Sequence, residues 1–216
     1  MVQEAAAPQQ DELDDASVPE SVVESWTRIV AWTLTVGGLI AFIASFTLTI
    51  ERIELLKNPD YVPSCSFNPV LSCGSVMKTW QAALFGFPNP LIGIAAFAVV
   101  MTVGVGIFAG ARYAGWFWAG LQVGVTLGMI FICWLISQSL YSIDALCPYC
   151  MVVWAMMIPI FVFVSVRNAH ASGLTSRSGF VAFLARNHAL IITVAVLVII
   201  AMIGQRFWSY WSSLYS

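Results

Sequence analysis

Residues 29–50 read IVAWTLTVGGLIAFIASFTLTI, 22 positions without a single ionisable side chain. As a helix this run rises about 33 Å, enough to cross a hydrocarbon core of roughly 30 Å. A polar strand or loop of the same length could not be buried in lipid, because its backbone groups would find no partners there. The run is therefore expected to be a membrane span. Its pattern repeats along the chain. The gap between charges at 79–111 is longer than one span needs, and Pro88-Asn89-Pro90 marks where a helix should enter, ending near Gly110. Residues 113–143, 145–166 and 189–204 supply a third, fourth and fifth span. The turns at 110–115 and 142–148 are short, so spans two, three and four should be antiparallel neighbours.

Composition agrees with this reading. Of 216 residues, 60% are hydrophobic and 9% charged, against about 25% charged in an ordinary soluble domain. A net charge of −2 with no basic run argues against a nucleic-acid partner. The expected fold class is all-α: a polytopic four-helix transmembrane bundle plus a fifth transmembrane helix. Residues 1–24 hold seven acidic residues with no Lys, Arg or aromatic, and are expected to be a solvated, disordered tail. A signal peptide begins basic and has a shorter apolar core, so cleavage is not expected.

The expected organisation is a tail over 1–24, a bundle over 25–166 with an outside loop at 51–87, a cytoplasmic loop at 167–188, and a fifth helix with a short outside tail over 189–216. With the N-terminus inside, Arg28, Arg112, Arg167, Arg177 and Arg186 are cytoplasmic, and Arg52, Lys57, Lys78 and Arg206 are not. That is only a slight positive-inside bias. Phe207-Trp208-Ser209-Tyr210-Trp211 reads as an interfacial aromatic belt.

Four of the five cysteines fall at one face under this topology. Cys65 and Cys73 lie between spans one and two, and Cys147-Pro148-Tyr149-Cys150 opens span four. Cys133 sits in mid-span and is expected to act as a small hydrophobe. At a helix start the first-turn N–H groups and the dipole favour a thiolate, the reactive form of cysteine. Proline at that turn loses no hydrogen bond. Spacing alone leaves three readings open: a redox pair, half of a zinc site, and a structural disulfide, with Cys65-x7-Cys73 too wide for a typical zinc knuckle. Asn68-Pro69 is expected to cap an amphipathic surface helix bearing Leu71, Met77, Trp80, Ala83 and Leu84. An exposed dithiol and a membrane-buried one would form a relay, whose last acceptor must dissolve in the membrane, as a quinone does.

Across 27–166 the chain resembles a bacterial member of the vitamin K epoxide reductase (VKOR) family. Cys65 and Cys73 reproduce the loop pair, Thr79 the hydroxyl residue six positions later, Asn89 with Gly93 the helix-two pattern, and Cys147 with Cys150 the C-x-x-C. The resemblance implies an enzyme, a quinone-dependent thiol oxidoreductase in the bacterial inner membrane with its cysteines on the extracytoplasmic face. Electrons would pass from a separate thioredoxin-fold partner to Cys65/Cys73, then Cys147/Cys150, then menaquinone or ubiquinone, supporting disulfide bond formation. Cys65 would meet the partner, Cys147 would face Cys73, and Cys150 would lie nearest the ring. Asn89, Thr79 and Trp154 would bind the quinone. Trp154 replaces a Tyr found in animal members and can donate but not accept a hydrogen bond. No fused thioredoxin-like domain is expected after the fifth helix, so the redox partner is expected to be a separate protein. Phe85, Phe87, Trp134 and Tyr141 are further aromatics, expected to be ordinary core and interface residues. The DsbB family carries its two cysteine pairs in the opposite order. A zinc-binding or structural membrane subunit is the remaining alternative.

Overall fold

The computed structural model describes residues 20–213. The tail expected over 1–24 lies outside the described residues as far as 19, and the first helix begins at Glu20. Helix α1 (Glu20–Trp32) runs through a π turn, Thr33–Gly37, into α2 (Gly38–Lys57), making one long span. After a loop come a short α3 (Cys73–Met77) and a 3-10 turn, Trp80–Ala83. Helices α4 (Pro90–Phe108), α5 (Gly115–Gln138, continued by a π turn to Ile143) and α6 (Pro148–Ala171) complete the bundle. Short α7 (Leu174–Arg177) and α8 (Gly179–Arg186) lead to α9 (His188–Arg206) and α10 (Trp208–Ser213). Among the described residues, five helical segments are long and apolar enough to cross a membrane. The protein is an all-α polytopic membrane protein.

Span boundaries follow local chemistry. Pro90 and Pro148 each open a helix, where the missing N–H is harmless. Gly110 adopts a positive φ of 83° and ends the turn after α4, a conformation that costs glycine nothing. Between helices that lipid cannot drive together, packing rests on close approach. A Cβ on Gly104 would fall 2.6 Å from the Thr35 nitrogen, and one on Gly38 would fall 2.9 Å from that of Met101. Glycines on facing helices thus let α4 press against the first span. By contrast α9 has no buried residue and rests on the outside of α6, facing lipid. Arg206 at its end donates to the Leu140 carbonyl at 2.8 Å and pairs with Asp144.

The surface helix expected after Asn68 is not continuous. Asn68 Oδ1 instead accepts from the Val70 and Leu71 N–H groups, making a turn, and Ser72 caps α3 through the Ser75 N–H at 3.2 Å. Phe207 of the expected aromatic belt is buried, whereas Trp208 is exposed. The side chain of Trp211 lies outside the described residues. Cys133, expected to act as a small hydrophobe, is a free thiol exposed on the surface of α5.

Candidate functional site

A short piece of backbone pairing sets up the cysteine face. Leu146 donates to Val70 O at 2.7 Å and accepts from the Ser72 N–H at 2.9 Å, a parallel bridge between the loop and the α5–α6 connection. Cys147 follows Leu146 directly, and Cys73 follows Ser72. Cys73 starts α3, Cys147 is the N-cap of α6, and their sulfurs lie 3.2 Å apart. Cys73 is itself joined to Cys65 in a disulfide, while Cys147 and Cys150 are free thiols.

Cys147 is 1% exposed and Cys150 is half-buried one turn into the helix. The Cys147 thiol is held below the ordinary cysteine range. A hydrogen bond with the Cys150 thiol contributes most, and the Cys150 and Tyr149 backbone N–H groups add to it against the opposing effect of burial. The backbone contribution is the helix-start effect anticipated from the sequence, and it is smaller than that of the neighbouring thiol.

Both thiols border a cavity of about 540 Å³ whose lining is almost wholly apolar. It runs along α5 from Trp116 to Ser139, a distance of about 35 Å. Gly120 and Gly124 line it, and a Cβ on either would meet no atom within 4 Å, so these glycines widen the cavity rather than tighten a contact. Polar groups are few. Asn89 is one: its Nδ2 donates to Gln81 O at 2.7 Å and its Oδ1 accepts from the Leu84 N–H at 3.1 Å, leaving one amide N–H for a ligand. Arg52 is another. It donates to Met77 O, and its buried Nε–H has no partner among the described residues. Trp154 lines the same cavity and is 3% exposed.

The structure thus brings Cys73, Cys147, Cys150, Asn89 and Trp154 to one place. Thr79 is not among the cavity-lining residues; its hydroxyl donates to Val76 O at 2.8 Å. Phe85, Phe87, Trp134 and Tyr141 also lie off the cavity wall, the first three grouped around Phe131 and Trp80. Sequence reasoning missed Gln81 and Arg52. Gln81 is buried and reaches Gln138 at 3.2 Å and Ser142 at 3.3 Å. Arg52 had a signal, since it is the first cation after the long uncharged run.

Cys65 is 2% exposed, so no external thiol reaches it in this arrangement. The segment that covers it is pinned through Glu51, a buried carboxylate. Ser64 donates to Glu51 from its hydroxyl and from its N–H, at 3.3 Å for the latter. The Tyr61 hydroxyl bonds the same carboxylate, which pushes the Tyr61 phenol above its ordinary range.

The sulfurs of Cys65, Cys73 and Cys147 all lie within 4.8 Å of one another. They fit zinc poorly: structural zinc takes four ligands, this group offers three, and two of these are tied in a disulfide. A quinone fits better, since a long apolar cavity with a few hydrogen-bond donors suits a flat ring carrying two carbonyls. A sequence profile described as the Vitamin K epoxide reductase family matches residues 32–165, more than half of the chain. No individual curated protein matches.

Proposed function

Because the chain belongs to the vitamin K epoxide reductase family, membrane oxidoreductases that link disulfide chemistry to quinones, we propose that it re-oxidises an external thioredoxin-fold dithiol through Cys65/Cys73 and Cys147/Cys150 in turn. The observation that carries this reading is the 3.2 Å approach of Cys73 Sγ to Cys147 Sγ, which connects the loop disulfide to the thiols bordering the apolar cavity. The functional unit is the bundle of 25–166 with its loop at 51–87. The cysteine face lies outside the cytoplasm, since disulfide formation needs an oxidising compartment. The 167–188 connection is then inside and the 189–216 helix ends outside.

Electrons and bonds balance as follows. The partner's thiolate attacks Cys65 once the loop has opened, and Cys73 leaves as a thiolate. The partner's second thiol displaces Cys65, which completes the partner's disulfide and leaves Cys65 and Cys73 reduced. Cys73 then attacks the Cys147–Cys150 disulfide at Cys147, releasing Cys150. Cys65 attacks Cys73, restoring the loop disulfide and freeing Cys147. The structure has the redox pattern expected after this transfer: loop pair oxidised, Cys147 and Cys150 reduced. A bound quinone supplies the sink for these two electrons and two protons. Asn89 and Trp154 offer it N–H donors, Cys150 borders its cavity, and the apolar walls exclude water. Thr79, through its bond to Val76, steadies the end of α3 rather than touching the ring. Menaquinone and ubiquinone share the two-carbonyl ring this chemistry requires.

Trapping tests the reading directly. In Cys73→Ala the Cys65 thiol has no internal partner, so a mixed disulfide with a thioredoxin-fold protein should accumulate and be released on reducing gels. Absence of any adduct in cells that contain the partner compartment would refute the relay.

A further inference from the structure

At the end of the bundle remote from the cysteines lies a second cavity, of about 230 Å³. Its walls are Trp26 of α1, Arg112 and Tyr113 of the α4–α5 turn, Trp118 of α5, and Arg167 near the end of α6. None of these residues takes part in the thiol chemistry.

Its polar groups are nearly all donors. The Arg167 guanidinium lies over the Trp118 ring, 3.8 Å from its centroid, and donates to Asn168 Oδ1 at 3.0 Å. Arg112 is exposed to solvent at the mouth. Among the described residues neither arginine pairs with a carboxylate; the ion pairs present are Lys57–Glu54 and Arg206–Asp144, both at the cysteine end. Among the described residues the buried Trp26 Nε1–H has no hydrogen-bond partner. Leaving a buried donor unsatisfied costs about 1–3 kcal/mol. An unpaired cation within a membrane-spanning helix is costlier and calls for a counter-ion.

Two arginines lining one small cavity, with no carboxylate paired to either among the described residues, call for an anion with several oxygens. The planar guanidinium fork matches a phosphate. The cavity lies at the turn between α4 and α5, where two spans end, and so at headgroup depth. We propose that this cavity binds a phosphate group, carried by an anionic phospholipid whose chains lie along the outside of the bundle. Basic pockets between membrane helices hold lipid headgroups in this manner.

The test uses the full chain reconstituted in vesicles of equal phosphatidylglycerol and phosphatidylcholine, then released for native mass spectrometry. The wild type should retain phosphatidylglycerol over phosphatidylcholine. Arg112→Gln lies on an exposed turn and should leave the fold and quinone reduction intact while lowering that preference about tenfold, the scale of one charge-assisted hydrogen bond. Arg167→Lys keeps the charge but loses the planar fork, and should weaken retention severalfold. Lys57→Gln, at the other face, should change nothing. A second arm titrates inorganic phosphate into lipid-free protein. Displacement of retained lipid by phosphate supports the shared site. Binding of phosphate in this arm with no lipid retention in the first assigns the site to the free ion. Equal retention of both lipids with no phosphate binding, or an unchanged preference in both arginine variants, overturns the proposal.

Discussion

Removing one charge from beneath the loop should open it. Glu51 is 7% exposed and receives the Ser64 and Tyr61 hydroxyls, which hold the segment covering Cys65. In Glu51→Gln the amide oxygen still accepts, so what is lost is the difference between charge-assisted and neutral hydrogen bonds. That difference is about 1 kcal/mol for the Ser64 hydroxyl. The long Ser64 N–H contact adds little. A shift of about 1 kcal/mol changes an opening equilibrium about fivefold. The assay is the rate at which a small water-soluble dithiol reduces Cys65–Cys73, followed by shifts on gels after coupling the released thiols to a large maleimide. Because Cys65 is reached only through the open form, the rate should rise by about the same factor. Thermal stability should fall modestly. An unchanged reduction rate in a folded Glu51→Gln protein would refute the idea that this clamp controls access.

Other consequences follow from the same geometry. Cys147→Ala leaves Cys150 alone beside the cavity, where its thiolate should give a visible band with bound quinone. Acidification should bleach the band by protonating the thiolate, and Cys150→Ala should be colourless; colour that followed Cys147 instead would reverse the assignment. The depressed pKa of Cys147 means that its thiolate persists as pH falls below the usual cysteine range, down to the lowered value, and is protonated below that. Exchange of Cys147 with the loop disulfide should therefore persist to lower pH than exchange at an unperturbed cysteine. In Cys150→Ala, which removes the strongest favourable hydrogen bond, the midpoint measured by rapid acid quench should move upward. Gly104→Ala forces a Cβ to within 2.6 Å of the Thr35 backbone nitrogen and should destabilise the bundle by about 1–3 kcal/mol, read as a lower unfolding temperature in detergent.

The sequence by itself determined the spans. Whether a helix crosses a membrane depends on the solvation of some twenty consecutive residues, so runs such as 29–50 carry the answer locally. Once the spans alternate, the convergence of Cys65, Cys73, Cys147 and Cys150 on one face follows without any knowledge of packing. Pro90 and Pro148 likewise mark their own helix starts. The broken helix after Asn68 was not legible, because its amphipathic spacing could not reveal that Leu146 pairs with Val70 and Ser72.

Only the tertiary structure decided which atoms meet. The contact of Cys73 with Cys147 joins positions 74 residues apart, and nothing in either neighbourhood encodes it. Arg52, Gln81 and Asn89 reach one cavity because α2, the loop and α4 are held together by close glycine contacts and loop hydrogen bonds. Gly120 and Gly124 face open space, which their positions along α5 do not reveal. The burial of Cys65 and the placing of Arg112 and Arg167 on one cavity at the far end have the same origin. Local hydropathy fixes where a helix lies in the membrane, whereas the rotation of each helix, and so the direction of every polar side chain, is set by the neighbours it packs against.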